Sequence, residues 1–116
     1  MWGRALRKVA SSTTEYENET LARAAKECGC QTLADCRPRD VVVLQGRIHD
    51  VTLSPRGTRS WLEAEVTDGT GSVKLVWIGR RTIRGIEAGR MIRVRGRLTR
   101  RRREPVLYNP AYDLLS

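Results

Sequence analysis

Four residues, Asp68-Gly69-Thr70-Gly71, separate two stretches of alternating apolar and polar side chains, and no other feature constrains this chain more. Before them, Leu62, Ala64 and Val66 fall on one face of WLEAEVTD (61–68). After them, Val73, Leu75 and Trp77 fall on one face of SVKLVWI (72–78). Period-two alternation broken by a Gly-rich turn specifies an antiparallel hairpin. Its register is fixed, because a one-residue slip would carry every apolar side chain to the solvent face. The chain must therefore be built around a sheet.

The surrounding sequence extends that grammar. VVVLQGRIHDVTL (41–53) is long and β-branched, as a strand requires. SPRGTRS (54–60) is a basic, turn-rich loop. GRRTIRGIEAG (79–89) holds too much glycine for a long helix and is expected to form one short helical turn with Ile83 and Ile86 inward. RMIRVRGRLT (90–99) alternates strictly, with Ile92, Val94 and Leu98 in and Arg93, Arg95 and Arg97 out. RRRRE (100–104) is a basic loop, and PVLYNPAYDLL (105–115) is a last strand that Pro105 and Pro110 restrict to an edge or bulged path. Gly46 and Gly96 stand mid-strand, where a small barrel bends sharply. Upstream, EYENETLARAAKEC (15–28) predicts a helix with Thr14 as N-cap, Glu15, Glu17 and Glu19 in its first turns, and Leu21, Ala24, Ala25 and Cys28 on one face. The expected organisation is a flexible leader (1–14), a helix and connector (15–40), and one β domain (41–116). Its class is mostly β: a five-stranded antiparallel Greek-key OB-fold barrel with a short helical link between strands 3 and 4 and an N-terminal helix.

Composition adds the charge. The chain has 116 residues and a net charge of +9. Residues 1–40 carry 7 basic and 6 acidic side chains, and residues 41–116 carry 15 and 7, so the positive field belongs to the β domain. Such a field attracts polyanions. No apolar run approaches the ~20 residues that span a bilayer, and the N-terminal apolar stretch is too short for a secretion signal. A cytoplasmic monomer is the expectation. Cys28, Cys30 and Cys36 are odd in number and lack paired zinc knuckles; a fourth ligand would have to be His49 or Asp35. They are expected to be reduced structural thiols, and they are the weak candidates for metal. His49 and Asp50 are strand neighbours whose side chains point to opposite faces, so no acid–base pair arises there. No phosphate-loop motif is present. No catalytic residue and no cofactor are expected.

Specific stretches carry a resemblance. V-x-L-x-G-R-I at 42–48, D-G-T-G followed by S-V-K-L-V-W at 68–77, and G-R-M-I-R-V-R-G-R-L at 89–98 resemble the OB-fold nucleic-acid-binding domains of the tRNA-anticodon type. The group includes anticodon domains of bacterial lysyl- and aspartyl-tRNA synthetases. L-V-W-I-G-R-R (75–81), I-R-G-I-E-A-G (83–89) and Y-N-P-A-Y (108–112) are similar to a small stand-alone actinobacterial family that joins a short helix to one such domain. The resemblance implies a non-catalytic protein that binds single-stranded DNA or RNA with little sequence specificity. The face of strands two and three would be the platform, walled by two loops.

Carried onto this chain, one wall is Pro55, Arg56, Gly57, Thr58 and Arg59, and the other is Arg100, Arg101, Arg102 and Arg103. The platform holds Trp61, Lys74, Val76 and Ile78. Arg80, Arg81, Arg93, Arg95 and Arg97 extend the basic surface. Trp77 belongs to the core by phase, and Tyr108 and Tyr112 share one face of the last strand. Glu63 and Glu65 share the outer face with Trp61 and oppose a phosphate ligand, unless they pair with neighbouring arginines. The alternative function is a protein-docking module that uses the same groove or a sheet edge.

Overall fold

One strand serves two partners. β1 (Val41–Arg56) pairs through Val41–Arg47 with β4 (Met91–Arg97) and through Arg47–Arg56 with β2 (Arg59–Thr67), both antiparallel. At the crossover sits Gly46. A Cβ there would run into the Thr67 carbonyl and come within 2.9 Å of Val66 Cγ1, so only glycine lets the two strands cross this closely. A bulge at His49 then resets the pairing between Ile48 and Asp50 and sharpens the bend.

The computed structural model describes residues 2–27, 29–56 and 59–115, with side chains for 15–27, 29–54 and 60–115. β2 forms the expected hairpin with β3 (Ser72–Ile78), in the register Leu62↔Trp77, Ala64↔Leu75 and Val66↔Val73. β5 (Thr99–Arg101) and β6 (Glu104–Tyr108) make a second hairpin, and β7 (Ala111–Leu114) pairs with β4. β6 runs parallel to β3. The result is one seven-stranded sheet in the order β5-β6-β3-β2-β1-β4-β7. It is a mostly β, OB-type sheet that curls without closing by hydrogen bonds. Its two ends are held near each other by the chain, since β6 and β7 are consecutive.

Inside the curl lie the predicted apolar faces. Leu62, Ala64, Val66, Val73, Leu75, Trp77, Ile92, Val94 and Leu98 are all buried, with Val42, Leu44, Ile48 and Leu107. Trp77 donates its indole N–H to the Pro110 carbonyl at 3.3 Å, which satisfies the one polar atom this ring takes into the core.

Four expectations need correction. The link 79–90 contains no helical turn: Gly79, Gly85 and Gly89 all have positive φ, a conformation that ends a helix at once. Ile83 and Ile86 nevertheless point into the core. The last strand is two strands, because Asn109 takes φ +48° and Pro110 follows it. That break puts Tyr108 and Tyr112 on opposite faces. The basic stretch 100–104 is not a loop but the turn of a hairpin. The N-terminal helix, α1, runs over Trp2–Glu27 rather than from Glu15. Its first turns are rich in Ala, Arg, Leu and Lys, which are strong helix formers. Thr14 is therefore inside the helix and does not cap it. No helix among the described residues is long and apolar enough to cross a membrane.

α1 docks through Leu21 and Ala25, and the β2–β3 turn packs against the same helix face at Asn18 and Ala22. At Gly69 (φ +89°) an added Cβ would strike the Asn18 carbonyl. Asp68, 1% exposed, ties this corner together. Its Oδ1 accepts from the Thr70 amide and hydroxyl, both at 2.8 Å, and from the Gly71 amide at 3.1 Å. Its Oδ2 accepts from the Leu33 amide at 2.7 Å, at the start of a 3-10 turn, Leu33–Asp35. A buried carboxylate is tolerated because each oxygen has donors.

Gly46→Ala should destabilise the domain by at least ~3 kcal/mol, since backbone must move to admit the methyl. Gly96→Ala should change stability by less than ~1 kcal/mol, because its Cβ would rest at an ordinary 3.6 Å from Leu107 and Pro110. Urea unfolding of both variants checks the contrast.

Candidate functional site

The candidate site lies on the outer face of β2, β3, β6 and β5. Register places Trp61 and Glu63 of β2 opposite Ile78 and Val76 of β3, and Lys74 and Val76 beside Val106 and Tyr108 of β6. Thr99 and Arg101 of β5 then lie opposite Val106 and Glu104. Within this face is a cleft of about 520 Å³ lined by Trp61, Glu63, Lys74, Arg101, Arg102 and Glu104.

One side of the cleft is aromatic. Trp61 and Tyr108 meet edge to face, with centroids 6.2 Å apart and planes at 83°. The phenol of Tyr108 stands at the end of β6 because Asn109 continues the pairing: its amide donates to the Val76 carbonyl at 2.6 Å, and its Oδ1 accepts from the Ile78 amide at 3.0 Å. Val76, expected on an exposed platform, is fully buried instead. β6 lies alongside β3, so Val76 and Val106 form an apolar patch on the outer face, separate from the main core.

The other side is ionic. Arg101 Nη2 donates to Glu63 Oε1 at 3.2 Å, and Lys74 Nζ is 3.9 Å from Glu63 Oε2. The Glu63 side chain is only 10% exposed. Burial pulls the Arg101 guanidinium toward neutrality, but the hydrogen bond to Glu63, with the Tyr108 phenol behind it, holds its pKa above the ordinary value. Arg101 Nη1 is buried without a hydrogen-bond partner.

The tip of the β5–β6 hairpin is strained. Arg101 pairs with Glu104, and the two residues between, Arg102 (φ +53°) and Arg103 (φ +71°), are both left-handed. Such a turn favours Asn-Gly, because each L side chain with a Cβ resists this conformation. Two arginines occupy it. The hairpin also divides its side chains. Arg101 and Arg102 line the cleft beside Trp61, whereas Arg100 and Arg103 line a second cleft of about 310 Å³ with Leu33, Ala34, Thr70, Ser72, Leu98 and Pro105.

The other basic candidates are distributed as follows. Arg93, Arg95 and Arg97 project from the outer face of β4, opposite Gln45, Val43 and Val41 of β1. Arg93 Nη2 donates to Gln45 Oε1 at 2.9 Å, and Arg97 Nη1 to the Arg39 carbonyl at 2.6 Å. The run of outward residues continues through Leu98 into β5, so Arg93, Arg95, Arg97, Thr99 and Arg101 form one row whose last member enters the Trp61 cleft. Arg80 and Arg81 are exposed just beyond Ile78, where the Gly79 amide donates to the Ser60 carbonyl at 2.9 Å. That puts them at the Trp61 end of the face. Arg56 and Arg59 pair across the end of the β1–β2 hairpin, but their side chains and that of Pro55 lie outside the described residues, as do Gly57 and Thr58.

Tyr108 and Glu63 were the features least legible in advance. Tyr108 has the strand parity of Val106, which marks it for the outer face once the break at Asn109 is known. Glu63 shares the parity of Trp61 but gives no local sign of burial.

No group of three or more His, Cys, Asp or Glu side chains gathers as a metal site among the described residues. Cys28 lies outside them. Cys30 is buried, and Cys36 donates its thiol to the Thr32 carbonyl at 3.2 Å. Burial, then the nearby Asp68, Asp40 and Asp35 carboxylates, push the Cys36 pKa up.

A family model described as tRNA anti-codon, OB-fold nucleic acid binding domain, matches residues 42–115. Among solved structures, the crystal structure of the p204 HINb domain is similar, with TM-score 0.60 and 16% identity, over 78% of this chain and 49% of that one. This chain thus spans about half the length of that structure. The OB domain of Ta0387 from Thermoplasma acidophilum is also similar, with TM-score 0.58 and 14% identity, over 74% of this chain and 86% of that one. A comparison with curated proteins gave no match.

Two predictions follow from this geometry. Replacing the strained pair by Arg102→Asn with Arg103→Gly should stabilise the protein by ~1 kcal/mol, read as a raised midpoint in urea. Iodoacetamide at pH 7.5 should alkylate Cys36 at least ~10-fold more slowly in the folded protein than in the unfolded chain, because the thiolate is the nucleophile and a raised pKa lowers its fraction. Site-by-site mass spectrometry reads that ratio.

Proposed function

This chain belongs to the tRNA anti-codon family of OB-fold nucleic acid binding domains, and from that premise we propose that it binds single-stranded DNA or RNA on the outer face of β2, β3, β5 and β6, with little sequence preference and without catalysing a reaction. The observation that carries the proposal is one cleft that joins an aromatic wall, Trp61 with Tyr108, to the cations Lys74, Arg101 and Arg102. A base stacked on the wall and a phosphate held by the guanidinium fork are the two halves of single-strand recognition.

The turn arginines support the same view. A stable hairpin would place Asn-Gly at its tip, and the strain of Arg102 and Arg103 is explained if the tip must present charge to a ligand. Arg100 and Arg103 extend the path into the second cleft. Arg80 and Arg81, with Arg56 and Arg59, flank the Trp61 end. Arg93, Arg95 and Arg97 act as the approach to the cleft. Among the described residues the cleft offers charged groups and two rings, which suit phosphates and ring faces whatever the base. With four to six phosphates engaged, affinity should fall with salt at a log–log slope of about −3 to −4.

Fluorescence anisotropy with labelled single-stranded DNA, single-stranded RNA and duplex DNA, at two salt concentrations, tests this. Tryptophan quenching should accompany single-strand binding. Trp61→Ala should weaken it by roughly 5- to 150-fold, the value of one stacked base. The Arg102→Asn, Arg103→Gly variant, though more stable, should bind at least ~10-fold more weakly. Equal binding of every polyanion without quenching would reduce the arginines to a generic charge effect. No binding at low salt would turn attention to a protein ligand for the same face.

A further inference from the structure

The centre of the cationic cleft is already occupied by an anion of the protein itself. Glu63 projects from β2 between Lys74 and Arg101, is almost wholly buried, and holds Arg101 Nη2 at 3.2 Å with Lys74 Nζ at 3.9 Å. Those two cations are the ones that a phosphate at the foot of the Trp61–Tyr108 wall would need. The charges lining the cleft are Lys74, Arg101 and Arg102 against Glu63 and Glu104, a net of +1. Without Glu63 it would be +2.

We propose that Glu63 is an internal stand-in for phosphate that restrains nucleic-acid binding at this cleft, and that neutralising it tightens binding. The inference rests on the functional reading above. A ligand phosphate must compete with a carboxylate that is tethered and therefore always present. Only a strand that also gains from stacking on Trp61 and Tyr108 meets that threshold. Two features argue against a purely structural pair. Arg101 keeps Nη1 buried without a hydrogen-bond partner, so the guanidinium fork is only half used by Glu63. Lys74 stands at the outer limit of an ion pair, close enough to be screened by the carboxylate but not locked to it.

The sign of the effect separates this from ordinary loss-of-contact behaviour. Glu63→Gln keeps the shape and an acceptor oxygen for Arg101 while removing the charge. Affinity for a labelled single strand should rise about tenfold at 50 mM salt, and the gain should shrink by 200 mM as screening grows. The salt slope should steepen by about 0.7 if one more phosphate is engaged. Glu87→Gln makes the same charge change on the exposed link, outside the cleft, and should gain no more than about twofold. In an Arg101→Gln background the Glu63→Gln gain should fall below about twofold, and this double variant leaves neither charge buried alone if the single variant folds poorly.

Wild type, Glu63→Gln, Glu87→Gln, Arg101→Gln and the Arg101→Gln, Glu63→Gln double variant, with unfolding midpoints measured alongside, would be titrated with single-stranded DNA, single-stranded RNA and inorganic polyphosphate. A folded Glu63→Gln that binds equally or more weakly overturns the proposal and makes Glu63 a support for Arg101. A gain matched by Glu87→Gln overturns it in favour of net charge. Wild type and Glu63→Gln both failing to bind a single strand would instead sink the functional reading itself, and this inference with it.

Discussion

Everything in this fold depends on β1 being shared between β4 and β2, and that sharing depends on the absence of a side chain at Gly46. At the crossover β2 approaches β1 so closely that the Thr67 carbonyl fills the space of a Cβ on Gly46. A flat β1 would give an open sheet with two distant edges. A bent β1 swings β4 round, and the break at Asn109-Pro110 brings β6 to β3 and β7 to β4. Only then do Trp77, Leu75 and Leu107 enclose one core, and only then does β6 lie close enough to β3 to build the outer face. The candidate site is thus a consequence of curvature: Tyr108 reaches Trp61 because the sheet has curled.

Burial on both faces of β3 has an energetic meaning. Val73, Leu75 and Trp77 enter the main core, while Val76 is buried under the outer face beside Val106. Burying an apolar side chain of this size contributes ~1.5–3 kcal/mol. The rings and ion pairs of the cleft therefore stand on a packed floor, not on open backbone. That floor limits how far Glu63, Arg101 and Trp61 can shift, which is what a preorganised surface requires.

Much of this was legible beforehand because it obeys a two-residue period. The β2–β3 hairpin, the inward set of Trp77, Ile92, Val94 and Leu98, and the outward arginines of β4 all follow from alternation alone. The failures came where a single backbone torsion overrides the period. Asn109 at φ +48° splits one expected strand and sends Tyr108 and Tyr112 to different neighbours, Trp61 and Trp77 respectively. Arg102 and Arg103 adopt left-handed torsions that no residue preference would suggest, so the residues alone read as a loop where the chain forms a hairpin. Asp68 shows a different limit. Its place in a turn was evident, but its bond to the Leu33 amide spans 35 residues and has no local signature.

The arginine row gains its significance from where it ends. Along β4 and β5 the outward positions run Arg93, Arg95, Arg97, Thr99, Arg101, and the pairing partner changes from β1 to β6 at Leu98 without breaking the alternation. At ~3.3 Å per residue, Arg97 is ~13 Å from Arg101. That exceeds the ~8 Å over which charges act at physiological ionic strength. The two ends of the row therefore cannot grip one phosphate together. Arg93 and Arg97 are moreover already hydrogen-bonded, to Gln45 and to the Arg39 carbonyl, which fixes their direction without neutralising them. Arg101 differs in meeting a carboxylate. On the reading proposed above, a row whose β4 arginines stay charged and whose last member is paired with a carboxylate where it enters the cleft would attract a polyanion broadly but admit it narrowly. Under the proposed function, attraction and recognition would thus fall to different arginines of the same alternating run.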